Sequence, residues 1–240
     1  MYCVSTHDYL ITASLCDFTG RLGIAQCLDM FMDAASRHAD EMLMGRRELA
    51  EKDLFWMITK NRLRVFRMPE MSDVVTLSTW PLMPEKLHND RCYTLKKGDE
   101  LLAVGKCEWV NYNFVTGKLS PVSQLFEPGT EFCPDDTIPE GFDRLTGDFP
   151  EQVCEYKVRT SDVDVNGHVN NTKYVYALLD VYSSQELKAH PIVEAEMIYK
   201  NQVKEGDTLL INRRPGPDGS EDYKLTADGK TAVFIRLKRG

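Results

Sequence analysis

The 240-residue chain carries the heptapeptide MITKNRL at residues 57–63 and a near copy of it, MIYKNQV, at residues 197–203. The hexapeptide SDVVTL at 72–77 follows the first copy, and the similar GDTLLI at 206–211 follows the second. Both pairs have the β-branched and apolar composition of strands. A strand order that occurs twice predicts an intrachain pseudo-dimer; the alternative is that short strands are alike by chance.

A helix precedes the strands in each copy. In the first copy, apolar or small side chains recur at the 3.6-residue spacing of one helical face; they are Ile24, Cys27, Leu28, Phe31, Ala34, Ala35 and His38. This helix is predicted to begin near Thr19 or Gly20, and a second one to run from about Asn170 to Leu187. The strands are predicted near 54–66, 73–81, 88–97 and 101–113, then near 153–159, 194–204, 207–213 and 221–237, with a turn at 227–230. The predicted fold class is therefore α+β.

The segment between the two copies has a different composition. Residues 121–152 hold five of the eleven prolines and carry −7 of the net charge of −8. Because proline donates no backbone hydrogen bond, this segment is predicted to be an extended crossover. The predicted organisation is an N-terminal unit at 1–120, an acidic linker at 121–152 and a C-terminal unit at 153–240.

Composition excludes several classes of protein. The sequence contains no run of about eighteen apolar residues, so no transmembrane helix is predicted. The N-terminus lacks the pattern of a secretory signal. The sequence shows no basic face of the kind that binds nucleic acid, so no nucleic-acid partner is expected. Seven cysteines without a C-x-x-C pair indicate reduced thiols and argue against a disulfide framework or a zinc site. We expect a cytoplasmic protein that has neither a membrane nor a nucleic acid as a partner.

One segment combines polar side chains that suit catalysis. Residues 161–171, SDVDVNGHVNN, precede the second predicted helix, and Asp164, Asn166 and His168 alternate within it. In an extended segment these three side chains project to one side. Histidine transfers protons near neutral pH, and unpaired N–H groups at the start of a helix can stabilise an oxyanion. The set suits addition of water to a carbonyl group; the alternative is an Asx-rich turn that only caps the helix.

The same residues resemble a family signature. The stretch DVNGHVNN at 164–171, followed by Lys173 and Tyr174, resembles the D-x-N-x-H-V-N-N-x-K-Y signature of acyl-ACP thioesterases. The resemblance extends over nearly the whole chain, and it is to the bacterial members, which lack a transit peptide. It implies a double hotdog, two tandem units that each wrap an antiparallel sheet around a long helix. It also implies hydrolysis of fatty acyl-ACP to free fatty acid and ACP.

Three positions of the loop match the catalytic positions of that family: Asp164, Asn166 and His168. The thioester carbonyl is expected to lie against the N–H groups near Val169 and Asn170, which makes Asn170 a candidate for substrate binding. The first copy has no matching loop, so we expect one active site per chain.

The resemblance includes one departure from the plant members of the family. Those relatives have Glu-Cys on the strand after the signature helix, where this chain has Gln202 and Val203. Because Val203 has no thiol, either water attacks the thioester or Asp164 attacks first. Gln202 is a catalytic candidate that orients water through hydrogen bonds; the alternative is an ordinary strand residue.

The acyl pocket is expected chiefly in the N-terminal hotdog, where the resemblance places it. Phe31, Trp56 and Met57 are the predicted substrate-binding residues there. Methionine adapts its shape and suits a lipid tunnel. For each of the three residues, simple core packing is the alternative.

The expected partner is an acyl carrier protein that carries a fatty acyl-phosphopantetheine, and no metal or organic cofactor is implied. Lys60, Arg62 and Arg64 alternate along one strand and are candidates for docking this acidic carrier or its phosphate; the alternative is a solvated strand face. The oligomeric state is left open, a homodimer included. The rival functions are an acyl-CoA thioesterase, a hotdog hydratase and a non-catalytic acyl-binding hotdog protein.

Overall fold

The computed structural model describes residues 3–165 and 167–240. The described strands are β1 (Ser5–Leu10), β2 (Leu54–Val65), β3 (Val74–Pro81), β4 (His88–Lys97), β5 (Glu100–Asn113), β6 (Lys118–Ser120), β7 (Glu151–Lys157), β8 (Ile192–Tyr199), β9 (Thr208–Pro215), β10 (Glu221–Ala227) and β11 (Lys230–Arg239). The described helices are α1 (Ile24–Glu41), α2 (Arg46–Ala50), α3 (Lys173–Leu179) and α4 (Ser184–Ala189). Within these described ranges, none of the helices combines the length and the apolar character needed to cross a membrane.

The strands form one antiparallel sheet whose strand order is symmetric. The order is β1-β3-β4-β5-β2-β8-β11-β10-β9-β7, and β6 pairs with β5. Followed from each edge inward, the two halves have the same succession, so β2 is equivalent to β8. These two strands pair at the centre of the sheet, with Asn61 opposite Met197. The pseudo-dimer predicted from the sequence repeat is confirmed.

Helix α1 packs its apolar face against the inner side of the first half of the sheet. All seven side chains predicted on this face are buried. The helix begins at Ile24, and the prediction of a start near Thr19 or Gly20 is wrong. The reason is local: Asp17 Oδ1 accepts the Thr19 N–H at 2.8 Å and closes a turn ahead of the helix.

The second unit has two short helices, α3 and α4, where one helix was predicted over 170–187. The prediction fails at Ser183, which has extended backbone dihedrals and begins a new helix. Its side chain accepts the Glu186 N–H at 3.2 Å, and the Glu186 carboxylate accepts the Ser183 N–H at 2.8 Å. This reciprocal pair is a capping box, which starts α4 independently of α3.

The predicted strands are confirmed in order, with differences at their ends. The stretch 221–237 is a hairpin of β10 and β11, and its turn uses positive φ values of 48° at Asp228 and 72° at Gly229. β8 ends at Tyr199, earlier than predicted, because the Lys200 and Asn201 N–H groups both donate to the Ala232 carbonyl, which interrupts the regular strand pairing. The edge strand β1 and the short β6 were not predicted.

The crossover at 121–150 covers the outer face of the sheet, the face opposite α1. This fully described segment contains only one short 3₁₀ turn, Val122–Gln124. Its acidic side chains pair with basic side chains of the strands: Asp136 with Lys106 at 2.7 Å, Glu140 with Arg64 at 2.5 Å and Asp143 with Arg236 at 2.5 Å. The acidic linker is therefore a strap packed on the sheet, and these three of its acidic side chains are paired with strand cations.

The strand face that carries Lys60, Arg62 and Arg64 differs from both sequence expectations. Arg62 is buried and pairs with Glu194 at 2.5 Å, and Lys60 pairs with Glu108 at 2.7 Å. Arg64 pairs with Glu140 and with Glu194. The face is covered by the crossover and is not a solvated one. Because the three cations already have acidic partners within the chain, they are poor candidates for docking a carrier protein.

Replacing Asp136 by asparagine should lower the free energy of unfolding by about 1–2 kcal/mol. The Lys106 side chain is 5% exposed and would keep a single carboxylate partner, Asp90 at 3.1 Å. The matched control is Asp135→Asn, since the Asp135 side chain is exposed. Urea unfolding followed by circular dichroism measures both variants. Neither should change kcat; equal stability of the two variants would contradict this account of the strap.

Candidate active site

The polar segment predicted to be catalytic forms a closed loop between β7 and α3. Asp162, only 4% exposed, anchors its start. The Asp162 carboxylate accepts hydrogen bonds from the Tyr156 hydroxyl at 2.9 Å and from the Arg159 N–H at 2.8 Å. Its carbonyl accepts the Asn170 N–H at 2.8 Å from the other end of the loop. Asp162 therefore ties both ends of the loop together, a role not predicted from the sequence.

The loop reverses direction between Asp164 and His168. The Asp164 N–H donates to the His168 carbonyl at 2.8 Å, and the His168 N–H donates to Asp164 Oδ1 at 3.3 Å. Gly167 has a φ of +78°, the left-handed conformation that glycine adopts without strain. The condition under which the three side chains would project to one side, an extended segment, is not met, because the backbone pairs with itself across the turn. Asp164 and His168 are nonetheless neighbours and both are half-buried, while Asn166 lies outside the described residues.

The N–H groups that were expected to hold the oxyanion already have acceptors. The Val169 N–H donates to the Val203 carbonyl at 2.9 Å, and the Asn170 N–H donates to Asp162. The expectation that these two groups face a thioester carbonyl is therefore wrong. Asn170 instead forms an Asx turn just ahead of α3, because its Oδ1 accepts the Thr172 N–H at 3.2 Å. Substrate binding by Asn170 stays a prediction.

Gln202 lies beside the loop but beyond the strand on which it was expected. β8 ends at Tyr199, and Gln202 is exposed in the segment that follows. Its neighbour Val203 is 1% exposed and is connected to Val169 by the hydrogen bond described above. Gln202 thus directly precedes Val203, whose carbonyl is hydrogen-bonded to the loop. Its role in orienting water stays a prediction.

A carboxyl group of the first unit also approaches the start of α3. Asp29 lies on α1 between the buried residues Leu28 and Met30. Burial raises the pKa of Asp29, while a hydrogen bond to Thr172 and the charge of Lys173 act in the opposite direction. The sequence signal for this group is an acidic residue within an apolar helical pattern, and Asp29 was not among the residues predicted for the site.

A cavity of about 390 Å³ opens beside the loop. Its walls come from α1, from the segment before α2, from strands β2, β4 and β5, and from the crossover. Its described lining residues are Ala35, Ser36, Ala39, Asp40, Met44, Gly45, Arg46, Phe55, Trp56, Asn89, Arg91, Trp109, Phe126 and Val165. Val165 directly follows Asp164, so the cavity is continuous with the candidate catalytic loop.

Trp56 lines this cavity, as the sequence analysis expected of an acyl pocket. Phe31 and Met57 are absent from the described lining. Phe31 is fully buried and stacks on Tyr93 with 4.7 Å between ring centroids. Met57 is half-buried on β2. Substrate contact by these three residues stays a prediction. Trp109 also lines the cavity and was not among the predicted residues.

One group of side chains among the described residues has the donor atoms of a metal site. The potential ligand atoms of His88, Asp90 and Glu108 lie within 4.8 Å of one another. Both carboxylates already have cationic partners, since Asp90 pairs with Lys106 at 3.1 Å and Glu108 with Lys60 at 2.7 Å. A metal ion would have to displace both ammonium groups, so the cluster is best explained as an ion-pair network on the outer face.

The fold described above, a double hotdog, recurs in solved structures that cover nearly the whole chain. The crystal structure of an acyl-ACP thioesterase from Bacteroides thetaiotaomicron has a TM-score of 0.88 and 20% identity, covering 99% of this chain and 98% of that chain. The 12:0-ACP thioesterase from Umbellularia californica has a TM-score of 0.84 and 18% identity, covering 100% and 98%. At these identities the likeness shows the fold alone, and the predicted tandem hotdog is confirmed.

Sequence comparison places the chain in a family. Residues 3–126 match the acyl-ACP thioesterase N-terminal domain, and residues 149–237 match the acyl-ACP thioesterase C-terminal domain. The chain belongs to the acyl-ACP thioesterase family. It is 27% identical over 202 residues to the chloroplastic palmitoyl-acyl carrier protein thioesterase of Gossypium hirsutum, covering 80% of this chain and 49% of the plant protein. The chain spans about half the length of the curated relatives it matches.

Proposed function

We propose that this protein hydrolyses the thioester between a fatty acyl group and acyl carrier protein, releasing the free fatty acid and the carrier. The observation that carries the proposal is the continuity of the Asp164–His168 loop with an aromatic cavity through Val165. The loop supplies a carboxylate and an imidazole, and the cavity offers apolar walls to an acyl tail. Membership of the family supports the choice of a thioester substrate.

In the proposed reaction, a water molecule attacks the thioester carbonyl carbon beside the loop. His168 takes a proton from this water, and the Asp164 carboxylate stabilises the imidazolium that forms. The carbon–sulfur bond of the tetrahedral intermediate then breaks, and His168 returns the proton to the leaving thiol of the carrier. In the rival sequence of steps, Asp164 attacks first and forms an anhydride that water hydrolyses. Both sequences do without a thiol at Val203.

Asn166 and Gln202 complete the proposed site as groups that orient water or the acyl carbonyl. A side-chain amide donates and accepts hydrogen bonds but takes no proton at neutral pH. Gln202 is exposed, so its side chain also has bulk water as a partner. We therefore assign it a smaller share of the rate enhancement than His168.

The proposed partner is acyl carrier protein, and the proposed location is the cytoplasm. All seven cysteines are unpaired, which fits a reducing compartment. Arg46 and Arg47 are exposed, and Arg46 lines the cavity. Guanidinium groups at this position suit the phosphate of a phosphopantetheine arm or an acidic carrier surface.

With matched acyl chains, the purified protein should hydrolyse acyl-ACP with a kcat/KM about tenfold higher than for acyl-CoA, the equivalent of ~1.4 kcal/mol of carrier contacts. The reason is that the carrier adds protein contacts beyond the pantetheine arm that both substrates share. Release of the free thiol measures both reactions, and His168→Ala serves as the blank. A kcat/KM for acyl-CoA equal to or above that for acyl-ACP would make the protein an acyl-CoA thioesterase. Tight binding without turnover of either substrate would make it an acyl-binding protein.

A further inference from the structure

A charged side chain occupies a core position on the inner face of β4. Arg91 is two residues before Tyr93, so both side chains point to the same side of the strand. The Tyr93 ring stacks on Phe31 of α1, which identifies that side as the inner, helix-covered face. Arg91 is 6% exposed and lines the cavity. A guanidinium group therefore closes off part of a cavity whose other walls are mainly apolar.

Arg91 forms no ion pair with a carboxylate of the described residues. Its Nη1 donates to His38 Nδ1 at 2.9 Å and to Thr79 Oγ1 at 3.2 Å. Burial and the Arg91 charge lower the pKa of His38 to about 4, so this histidine offers a lone pair and no charge. Across the described ranges, no carboxylate oxygen lies within 4.0 Å of the guanidinium, and its Nε and Nη2 have no hydrogen-bond acceptor.

A buried cation without a counter-charge is destabilising unless water or a ligand supplies an acceptor, and the accessible cavity beside Arg91 admits both. Arginine also keeps its charge at any pH that a protein meets, so deprotonation cannot relieve this cost. Asn89, the next inward-facing residue on β4, lines the same cavity. Its Nδ2 donates to the Leu82 carbonyl at 2.7 Å, which leaves the amide oxygen as its other polar atom. The two side chains form one polar region of a mainly apolar cavity, whose lining also includes Ser36, Asp40 and Arg46.

The sheet order places this polar region far from the second unit. Trp56, Trp109 and Arg91 lie on the successive strands β2, β5 and β4, and β2 is the strand that pairs with the second unit. Two strand spacings separate β4 from β2, or about 10 Å. The candidate catalytic loop belongs to the second unit and reaches the cavity through Val165. Arg91 is therefore two strands further than Trp56 from the second unit, to which that loop belongs.

We propose that the cavity takes acyl chains whose far end carries an oxygen acceptor, a carboxylate or a hydroxyl, which binds the guanidinium of Arg91. This inference rests on the proposed function and specifies its substrate class. A carboxylate compensates the charge and accepts from two N–H groups of the fork. A hydroxyl supplies a hydrogen-bond acceptor but no negative charge. A methyl end supplies neither. The expected order of affinity is carboxylate, then hydroxyl, then methyl.

The test measures binding of acids of matched length whose head carboxyl group is masked as a primary amide and whose far end is a carboxylate, a hydroxyl or a methyl group, over a series of lengths. Trp56 and Trp109 line the cavity, so quenching of tryptophan fluorescence reports occupancy, with isothermal titration calorimetry as a second readout. The variants are Arg91→Met, which keeps length and removes charge, and Arg91→Lys, which keeps the charge. Arg37→Met is the matched control, because Arg37 is exposed on α1 and lies over the Tyr9 ring.

The wild type should bind the best carboxylate-ended acid at least about tenfold more tightly than its methyl-ended counterpart, as expected for a charged hydrogen bond. Arg91→Met should abolish or reverse this preference, Arg91→Lys should retain part of it, and Arg37→Met should retain all of it. Equal binding of the three acids by the wild type would overturn the inference, as would a preference that survives Arg91→Met. If the Arg91→Met protein does not fold, the inference is tested by two other results. These are the ratio of carboxylate-ended to methyl-ended affinity in Arg91→Lys and the order of the three affinities in the wild type.

The same chain ends tested as ACP thioesters separate this inference from the proposed function. Hydrolysis of methyl-ended and carboxylate-ended chains at equal kcat/KM, together with equal binding of the acids, would remove the inference and leave the proposed function intact. A binding preference for the carboxylate end without hydrolysis of any thioester would remove the proposed function and leave the Arg91 site.

Discussion

Replacing His168 by alanine should lower kcat for acyl-ACP hydrolysis by about 10²–10⁴-fold, the usual loss for a positioned acid–base group. In the proposed reaction His168 both accepts the proton of water and returns it to the thiol, so both steps slow together. KM should change little, because the acyl tail binds in the cavity and His168 is not among its described lining residues. Steady-state thiol release with acyl-ACP measures the effect, and circular dichroism confirms the fold. Turnover near that of the wild type in a folded His168→Ala protein would remove His168 from the mechanism.

Asp164→Ala should cause a loss of similar size, and the double variant should be little worse than the worse single one, since residues that act as a unit are non-additive. The structure adds a reason: Asp164 Oδ1 accepts the His168 N–H at 3.3 Å, so the carboxylate also holds the loop. Asp164→Asn is the control that keeps an oxygen acceptor and removes the charge. Gln202→Ala should be milder. Strictly multiplicative losses in the double variant would contradict the treatment of the pair as one unit.

Replacing Asp222 by alanine should lower the free energy of unfolding by about 3 kcal/mol, the lower end of the range for breaking a buried ion pair. Asp222 is 1% exposed on β10, directly opposite Arg214 of β9 and Arg236 of β11. Its oxygens accept from Arg236 at 2.6 and 3.0 Å and from Arg214 at 3.2 and 3.0 Å. Removal leaves two guanidinium groups side by side without the carboxylate between them. Both arginines are partly exposed, which is why the upper end of the range is not expected.

Asp143→Asn is the matched control for Asp222→Ala. Asp143 also pairs with Arg236, at 2.5 Å, but its side chain is 45% exposed. An exposed pair contributes little, so the control should lose less than about 1 kcal/mol. Guanidinium or urea unfolding gives the free energy of unfolding of both variants. The slope of this free energy against denaturant concentration shows whether the denatured state has changed. Equal losses in the two variants would show that burial does not set the strength of this network.

Local patterns in the sequence were sufficient for the architecture. The repeated heptapeptides predict two equivalent units, and the apolar spacing on α1 predicts the face that is buried, because both features depend on neighbours a few residues apart. The candidate chemistry was predictable for the same reason. Asp164 and His168 belong to one short segment, although the turn that pairs their backbones was not predicted.

Contacts between distant segments were decided by the tertiary structure. The Val169 N–H is taken by the Val203 carbonyl, which removes it from the expected oxyanion site. Arg62 and Arg64 look like a solvated basic stripe in the sequence, yet Glu194 and the crossover neutralise them. Arg91 looks like an ordinary strand arginine until the sheet register places it on the inner face. In each case the partner of the residue is set by how strands and loops pack in three dimensions. The neighbouring residues in the sequence therefore do not predict that partner.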